Sequence, residues 1–205
     1  MHPLWRRLPE CSLQAGDALW CPTMGSDSSL QDTRIGIVGT GVMAEAMLAG
    51  LLDKQLVAAT HVVCSHPRAE RRAQLERERG VATTADNAEA ARDADVVLLG
   101  VKPQMLGAVM AELRGSLRRE QLVLSIIAGA STRALTEGLD HTAVVRCMPN
   151  TPAQIGQGVT VWYATDSVDD AGKSRTRAML SALGREFEVH DERQVAMATA
   201  VSERR

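Results

Sequence analysis

The chain has 205 residues, which is enough for one α/β domain and little more, because a domain usually takes roughly 100–200 residues. Its net charge of −2 gives no electrostatic footprint for nucleic acid, and no apolar stretch reaches the ~20 residues that a membrane-spanning helix needs. Aromatic residues make up only 2% of the chain, so we expect a core of aliphatic side chains and methionine. Such a core suits helices packed on a parallel sheet.

The four cysteines are Cys11, Cys21, Cys64 and Cys147. They form no CxxC pair and no Cys/His cluster with zinc spacing, so the sequence predicts no metal site, free thiols and a cytoplasmic location. Residues 1–32 lack the continuous apolar region of a signal peptide, and we interpret them as a disordered leader. The alternative is an organelle transit segment, but the acidic residues in this stretch do not fit that pattern.

Strands and helices alternate along the chain from residue 34 onward. Short aliphatic runs predict strands at residues 34–38, 61–64, 81–83, 95–101, 122–127 and 142–148, an edge strand at 159–164 and a last strand at 187–189. Helices are expected up to residue 52 after the first strand, and over 67–79, 87–92, 169–183 and 192–201. This rhythm is typical of an α/β fold with a Rossmann-like, doubly wound and mostly parallel sheet.

A glycine-rich turn, Gly39-x-Gly41-x-x-Ala44, follows the first strand and opens a helix. The first glycine permits the tight turn, the second lets the backbone approach a pyrophosphate, and Ala44 lets the helix pack closely on the strand. Free N–H groups at the helix start would hold the phosphates. The turn therefore predicts a dinucleotide site; the alternative is a structural glycine turn in a domain that binds no nucleotide.

The end of the second strand distinguishes the two nicotinamide cofactors. An NAD site usually has an acidic residue there to bind the ribose hydroxyls. This chain instead has Ser65, His66 and Arg68 around Pro67, which favours a helix start. A hydroxyl, an imidazole and a guanidinium suit a 2′-phosphate, so the sequence favours NADP(H), with NAD(H) as the alternative. In the competing interpretation Arg68, like the arginines that follow it, simply faces water.

The sequence resembles the pyrroline-5-carboxylate reductase family from residue 34 to about residue 202. Members of that family transfer a hydride from NADPH or NADH to the C=N bond of pyrroline-5-carboxylate, which gives L-proline. The stretches that carry the resemblance are the GxGxMA turn with Glu45-Ala46-Met47, Asp86-Asn87, Val101-Lys102-Pro103-Gln104, Ser125-Ile126-Ile127-Ala128-Gly129, the run from Arg146 to Pro152 (RCMPNTP) and Gly156-x-Gly158.

The resemblance implies a set of cofactor-binding residues, most of which lie at predicted strand ends, where ligands bind in such sheets. It implies Asn87 beside the ribose and Asn150 near the substrate, but no catalytic residue. Alternatively, Lys102 caps a strand end and Asn150 is a turn residue between two prolines. The implied cofactor residues are Val38, Gly39, Thr40, Gly41, Val42, Met43, Ser65, His66, Arg68, Asn87, Gly100, Val101, Lys102, Pro103, Ile127, Ala128 and Gly129.

The chain departs from the family pattern in three places. Val42 replaces the Asn that often follows the second glycine, and Ala196 replaces an acid. After Ser202, the family's Ser-Gly-Ser-Gly-Pro-Ala-Tyr stretch and helical dimerisation domain are replaced by three residues. We therefore expect an NADP-binding Rossmann domain over 33–190 and the start of a truncated helical domain over 191–205, exposing Val195 and Val201. A homo-oligomer is expected only with that helical domain present.

Three functions remain open at this point. The first is NAD(P)H-dependent reduction of pyrroline-5-carboxylate in proline biosynthesis. The second is a different Rossmann oxidoreductase, such as a deazaflavin-linked NADP reductase or a hydroxyacid dehydrogenase, although the helical Lys-x-x-Asn element of β-hydroxyacid dehydrogenases is not found. The third is a dinucleotide-binding module without catalysis.

Overall fold

The computed structural model describes residues 30–202, with side chains described up to residue 198. Eight strands occupy Ile35–Val38 (β1), Val62–Ser65 (β2), Ala82–Thr84 (β3), Val96–Leu99 (β4), Leu122–Ser125 (β5), Val144–Pro149 (β6), Gly158–Ala164 (β7) and Gly184–Glu188 (β8). Seven α-helices occupy Val42–Asp53 (α1), Ala69–Arg79 (α2), Asn87–Arg92 (α3), Leu106–Leu113 (α4), Thr132–Leu139 (α5), Asp170–Ser181 (α6) and Glu192–Ser202 (α7). Short 3-10 turns lie at Ala59–His61, Pro103–Met105 and Thr151–Ile155.

All eight strands form one sheet in the order β3-β2-β1-β4-β5-β6-β7-β8. Neighbouring strands are parallel except for the antiparallel pair β6 and β7. The chain moves outward from β1 to β3 and then returns to place β4 on the other side of β1. This reversal creates a crevice at the carboxyl ends of β1 and β4, which is where open α/β sheets bind ligands. The expected Rossmann-like, doubly wound fold is confirmed.

Helices cover both faces of the sheet. One apolar cluster packs α1, α2 and α6 against the first face and includes Met47, Leu75 and the fully buried Trp162. The other cluster packs α3, α4 and α5 against the second face, with Leu113 and Leu135 among its members. β1, β4 and β5 lie between the two layers, and every residue in them is buried. Burial on both sides explains why these strands read as continuous aliphatic runs.

Several sequence predictions need correction. The strand predicted at 159–164 is not an edge strand, because β7 lies between β6 and β8. The last strand covers Gly184–Glu188 rather than 187–189. Helix α2 begins at Ala69, so Pro67 precedes the helix instead of being its first residue. Helices α4 and α5 were not predicted at all.

The ends of the described chain also differ from expectation. The predicted leader over 1–32 lies outside the described residues as far as residue 29, but Leu30 is fully buried in the core. Val195 was expected to be exposed and is instead fully buried, because α7 packs on β6 and β7. The predicted exposure of Val201 lies outside the described side chains.

Candidate dinucleotide-binding site

A cavity of about 750 Å³ opens at the carboxyl ends of β1, β2, β3 and β4. Its volume falls in the usual range for small-molecule sites, roughly 300–1,000 Å³. Every residue that lines it lies between positions 39 and 112 of the sequence. The lining residues are Gly39, Thr40, Gly41, Ser65, His66, Pro67, Ala85, Asp86, Asn87, Ala88, Gly100, Val101, Lys102, Met105, Ala108, Val109 and Glu112.

The two glycines of the turn differ in what they do. Gly39 has φ +81°, and a Cβ built on it would lie 2.3 Å from Cγ1 of Val101, so the fold itself requires glycine there. Gly41 has an ordinary extended backbone, and its Cβ would meet only the carbonyl oxygen of Gly100, at 3.4 Å. The fold therefore tolerates a side chain at position 41. The absence of one leaves open space at the start of α1.

The start of α1 has the features of an anion site. Gly41 caps the helix without any side-chain hydrogen bond. Among the described residues, the N–H groups of Val42, Met43 and Ala44 have no recorded acceptor. Ala44 packs on β4, where a Cβ on Gly100 would lie 2.6 Å from the Cβ of Ala44. Unpaired N–H groups and the positive end of the helix dipole together fit a pyrophosphate.

A hydrogen-bonded chain connects the turn to the start of α3. The Gly39 N–H donates to Oγ of Ser65 (3.2 Å), and that hydroxyl donates to Oδ1 of Asn87 (2.7 Å). The Asn87 amide in turn donates to Oε2 of Glu112 on α4 (2.5 Å). Four segments that are distant in sequence are thereby fixed relative to one another. Asn87 keeps one amide hydrogen for a ligand.

The three arginines that follow β2 differ in whether their guanidinium groups already have partners. Arg71 pairs with Glu45 of α1, and Arg72 donates to the carbonyl oxygens of His66 (2.8 Å) and Pro67 (3.0 Å). Arg68 is exposed, and its guanidinium has no recorded partner among residues 30–202. Burial, together with the charge of Arg68, lowers the pKa of His66, so its imidazole is neutral near pH 7. Arg68 is thus the guanidinium beside this cavity that stays available for a phosphate.

The structure brings together nine of the predicted cofactor residues around the cavity: Gly39, Thr40, Gly41, Ser65, His66, Asn87, Gly100, Val101 and Lys102. Arg68 flanks this set as the N-cap of α2. Val42 and Met43 lie in the first turn of α1, Val38 is buried beneath it, and Pro103 follows Lys102 on the surface. None of these five residues lines the cavity itself, and their role as ligands stays a prediction.

Residues after β5 and β6 lie apart from this cavity. Ile127 is buried, whereas Ala128 and Gly129 are exposed, and none of the three lines it. Asn150 accepts a hydrogen bond from the Val159 N–H through Oδ1 (2.9 Å), which supports the turn interpretation of that residue. The substrate role implied for Asn150 stays a prediction.

Sequence reasoning missed the helical wall of the cavity. Met105 at the N-cap of α4 and Ala108, Val109 and Glu112 within it lie on one side of the helix, because 105 and 108, 105 and 109, and 108 and 112 are three or four residues apart. The signal was present as an apolar period after Lys102-Pro103, but α4 has no side-chain N-cap that would have marked its start. Ala85 and Ala88 were missed as lining residues because they belong to no motif, and Asp86 was matched only as part of the pair Asp86-Asn87.

Within the described part of the chain, the titratable groups give no sign of nucleophilic or metal chemistry. Burial raises the pKa of the Cys64 thiol to about 12 and raises that of Cys147 as well, so both stay protonated. Among the residues that the structure describes, no group of His, Cys, Asp or Glu is placed to hold a metal ion. Within the same residues, no helix is long and apolar enough to span a membrane.

Comparison with known proteins agrees with this geometry. A family model described as "NADP oxidoreductase coenzyme F420-dependent" matches residues 34–129. A pyrroline-5-carboxylate reductase from Pseudomonas aeruginosa is 42% identical over 170 residues, which is 82% of this chain and 62% of the relative. One from Synechocystis is 40% identical over 156 residues, covering 76% of this chain and 58% of the relative. The chain thus spans about three fifths of the length of these curated relatives.

Solved structures of pyrroline-5-carboxylate reductases are also similar to this chain. A pyrroline-5-carboxylate reductase from Coxiella burnetii matches with a TM-score of 0.80 at 30% identity, over 83% of this chain and 63% of that one. A Plasmodium falciparum pyrroline carboxylate reductase, solved with NADP bound, matches with a TM-score of 0.74 at 24% identity and supports the fold alone. It covers 84% of this chain and 63% of that one.

The fold and the glycine turn at the head of α1 define the class: a Rossmann-type domain with the features of a dinucleotide-binding site. Over its aligned residues, the chain is similar to pyrroline-5-carboxylate reductases, at up to 42% identity.

Proposed function

We propose that this chain binds NADPH in the cavity at the carboxyl ends of β1–β4 and prefers it to NADH. The observation that carries the proposal is the cavity itself, which runs from an uncapped helix start to a β2 end that has no carboxylate. Gly41 leaves room for the pyrophosphate, and Arg68 offers an unpaired guanidinium for the 2′-phosphate. NADH would leave that guanidinium without its partner.

We further propose that the bound cofactor serves the reduction of 1-pyrroline-5-carboxylate to L-proline. Identities of 40% and 42% to proteins of that name support this reaction. The cofactor would supply the hydride, and the protein would hold the C=N carbon near the nicotinamide. Lys102-Pro103 and Ile127-Ala128-Gly129 at strand ends are the residues proposed to flank the nicotinamide. No catalytic side chain is assigned.

The domain division predicted from the sequence is part of the same proposal. Residues 33–190 would form the NADP-binding domain, and 191–205 would begin a helical part that completes the substrate pocket in a homo-oligomer. Two buried free cysteines are compatible with the proposed cytoplasmic location. The alternative function is a dinucleotide-binding module without catalysis, since the cavity fits a dinucleotide and no catalytic side chain is assigned among the described residues.

Two measurements test these proposals. Titration of the purified protein with NADPH and NADH, followed by nicotinamide fluorescence, is expected to give the lower Kd for NADPH; equal affinities would contradict the NADP assignment. NADPH oxidation with pyrroline-5-carboxylate then tests catalysis. We expect slow turnover from these 205 residues alone, since losing half of a positioning advantage of roughly 7–11 kcal/mol costs about a thousandfold in rate.

A turnover above about 1 per second, typical of enzymes, would show that these residues suffice for catalysis. NADPH binding without any turnover, even at high protein concentration, would favour the non-catalytic alternative.

A further inference from the structure

The wall of the cavity formed by α4 is apolar along most of its length. Met105, Ala108 and Val109 line it, and the small side chains of Ala85 and Ala88 line the same cavity. Met105 is 53% exposed although it is a large apolar side chain, and α4 buries other residues on its core side. An exposed apolar wall inside a concave site is a typical surface for a flat, apolar-faced ligand group.

Two carboxylates lie in this part of the cavity: Asp86 is held at the start of α3, and Glu112 ends the apolar wall. Asp86 is the N-cap of α3, where Oδ1 accepts from the N–H groups of Ala88 (2.8 Å) and Glu89 (3.2 Å). Glu112 lies at the far end of the apolar wall and accepts from Asn87 through Oε2 alone. Its Oε1 has no recorded partner among residues 30–202. The apolar wall therefore ends in a carboxylate oxygen that can accept a hydrogen bond from a ligand.

The chemistry of this wall identifies the group that fits it. A purine ring has two apolar faces, and adenine carries a donor, its 6-amino group, at one edge. A carboxylate oxygen accepts from such an amino group and repels phosphate. We propose that Glu112 recognises the 6-amino group of the cofactor's adenine, which makes this subsite specific for adenine among purines. The inference rests on the proposed binding of a nicotinamide adenine dinucleotide in this cavity.

The position of Glu112 gives it a second effect on the same ligand. Its Oε2 holds the Asn87 amide, which Ser65 also holds through the other amide atom. One carboxylate thereby couples the base to Asn87, the residue expected beside the ribose. Replacement by Gln keeps an amide oxygen for Asn87 but turns the second polar atom into a donor, which no longer matches the 6-amino group. Glu112→Gln therefore separates base recognition from the positioning of Asn87.

The test compares NADPH with its purine analogue, in which hydrogen replaces the 6-amino group and the rest of the molecule is unchanged. Calorimetry on the 205-residue protein is expected to show that it binds NADPH at least about tenfold more tightly, the effect of one hydrogen bond to a charged group. In Glu112→Gln the two ligands should bind within about threefold of each other. Glu120→Gln removes the same charge from an exposed residue that does not line the cavity, and it should keep the wild-type ratio.

The outcomes distinguish this inference from the function on which it rests. Tight NADPH binding without preference for the 6-amino group would overturn the role of Glu112 and leave the cofactor assignment intact. An equal loss of affinity for both ligands in Glu112→Gln, with an unchanged ratio, would also overturn it, because Glu112 would then act only through Asn87. Failure of the wild type to bind either ligand would overturn both proposals.

Discussion

The two halves of the sheet are built in different ways. In the first half, residues 30–113, all strands are parallel, and every residue of β1 and β4 is buried. In the second half, residues 122–202, β7 runs antiparallel to β6, and burial alternates along β7 and β8. The alternation leaves Val159 and Phe187 exposed at 38% and 48%. All the residues that line the main cavity belong to the first half.

The difference shows how each half is stabilised. Near the cavity the first half relies on close backbone packing, such as Ala44 against Gly100, and leaves helix N–H groups unpaired. The second half relies on long charged side chains. Glu192, at the start of α7, accepts from the N–H and hydroxyl of Thr132 and pairs with Arg146 at 2.8 Å. Substitution of Gly41 or Arg68 in the first half should therefore change binding, and substitution of Glu192 in the second half should change stability.

Gly41→Val should produce the largest effect on binding. Its side chain would occupy the space proposed for the pyrophosphate, and losing two charge-assisted hydrogen bonds of roughly 1.5–3 kcal/mol each weakens NADPH binding by at least about a hundredfold. The fold should survive, because the new Cβ meets only the Gly100 carbonyl at 3.4 Å. Calorimetry measures the affinity, and thermal unfolding checks the fold.

Two glycine variants serve as controls for this prediction. Gly107→Val adds the same side chain to α4, where a Cβ meets nothing within 4 Å, and it should bind NADPH normally. Gly39→Val should instead destabilise the protein, because its φ of +81° and its approach to Val101 both exclude a side chain. Near-normal NADPH binding by a folded Gly41→Val would contradict the assignment of the turn.

The sequence predicted the first half better than the second for physical reasons. Strands buried on both faces, such as β4, give unbroken aliphatic runs, and the glycine turn has a fixed spacing that follows from phosphate geometry. β8 has the sequence GREFE, in which charged residues obscure the strand, so β7 was taken for the edge. Glu112 was missed because its role depends on α4 packing next to Asn87, 25 residues away in sequence. The sequence also could not show that Arg71 and Arg72 are engaged and Arg68 is not.

Arg68→Ala should have the next largest effect, and one confined to the phosphorylated cofactor. If the guanidinium binds the 2′-phosphate, its loss costs roughly 1.5–3 kcal/mol, which is about ten- to hundredfold in the Kd of NADPH. The Kd of NADH should change little. Arg77→Ala removes the same charge from an exposed position on α2 that does not line the cavity and should alter neither value. A parallel loss for NADPH and NADH in Arg68→Ala would mean that the residue does not read the 2′-phosphate.

Glu192→Gln should have the smallest effect, and it should appear in stability. Partial burial alone would raise the pKa of Glu192, but hydrogen bonds from Thr132 and Arg146 outweigh it and hold the pKa below its usual value. The lost ion pair should lower the free energy of unfolding by about 1–2 kcal/mol at pH 7, since both side chains are mostly buried, at 10% and 24% exposure. Glu137 pairs with Arg133, and the two side chains are 65% and 85% exposed. Glu137→Gln should therefore lower the free energy of unfolding by less than about 0.5 kcal/mol.

The difference in the free energy of unfolding between wild type and Glu192→Gln should depend on pH, because the pKa of Glu192 is lowered. A carboxyl group whose pKa is lower in the folded protein stabilises it fully above its unfolded pKa, near 4.5, and loses that contribution as the pH falls through the folded value. The gap between wild type and Glu192→Gln should therefore be constant from pH 7 to about pH 5.5 and close below about pH 4.5. Urea unfolding at several pH values measures it. A gap that stays constant down to pH 3 would show that the ionised carboxylate does not hold α7 against the sheet.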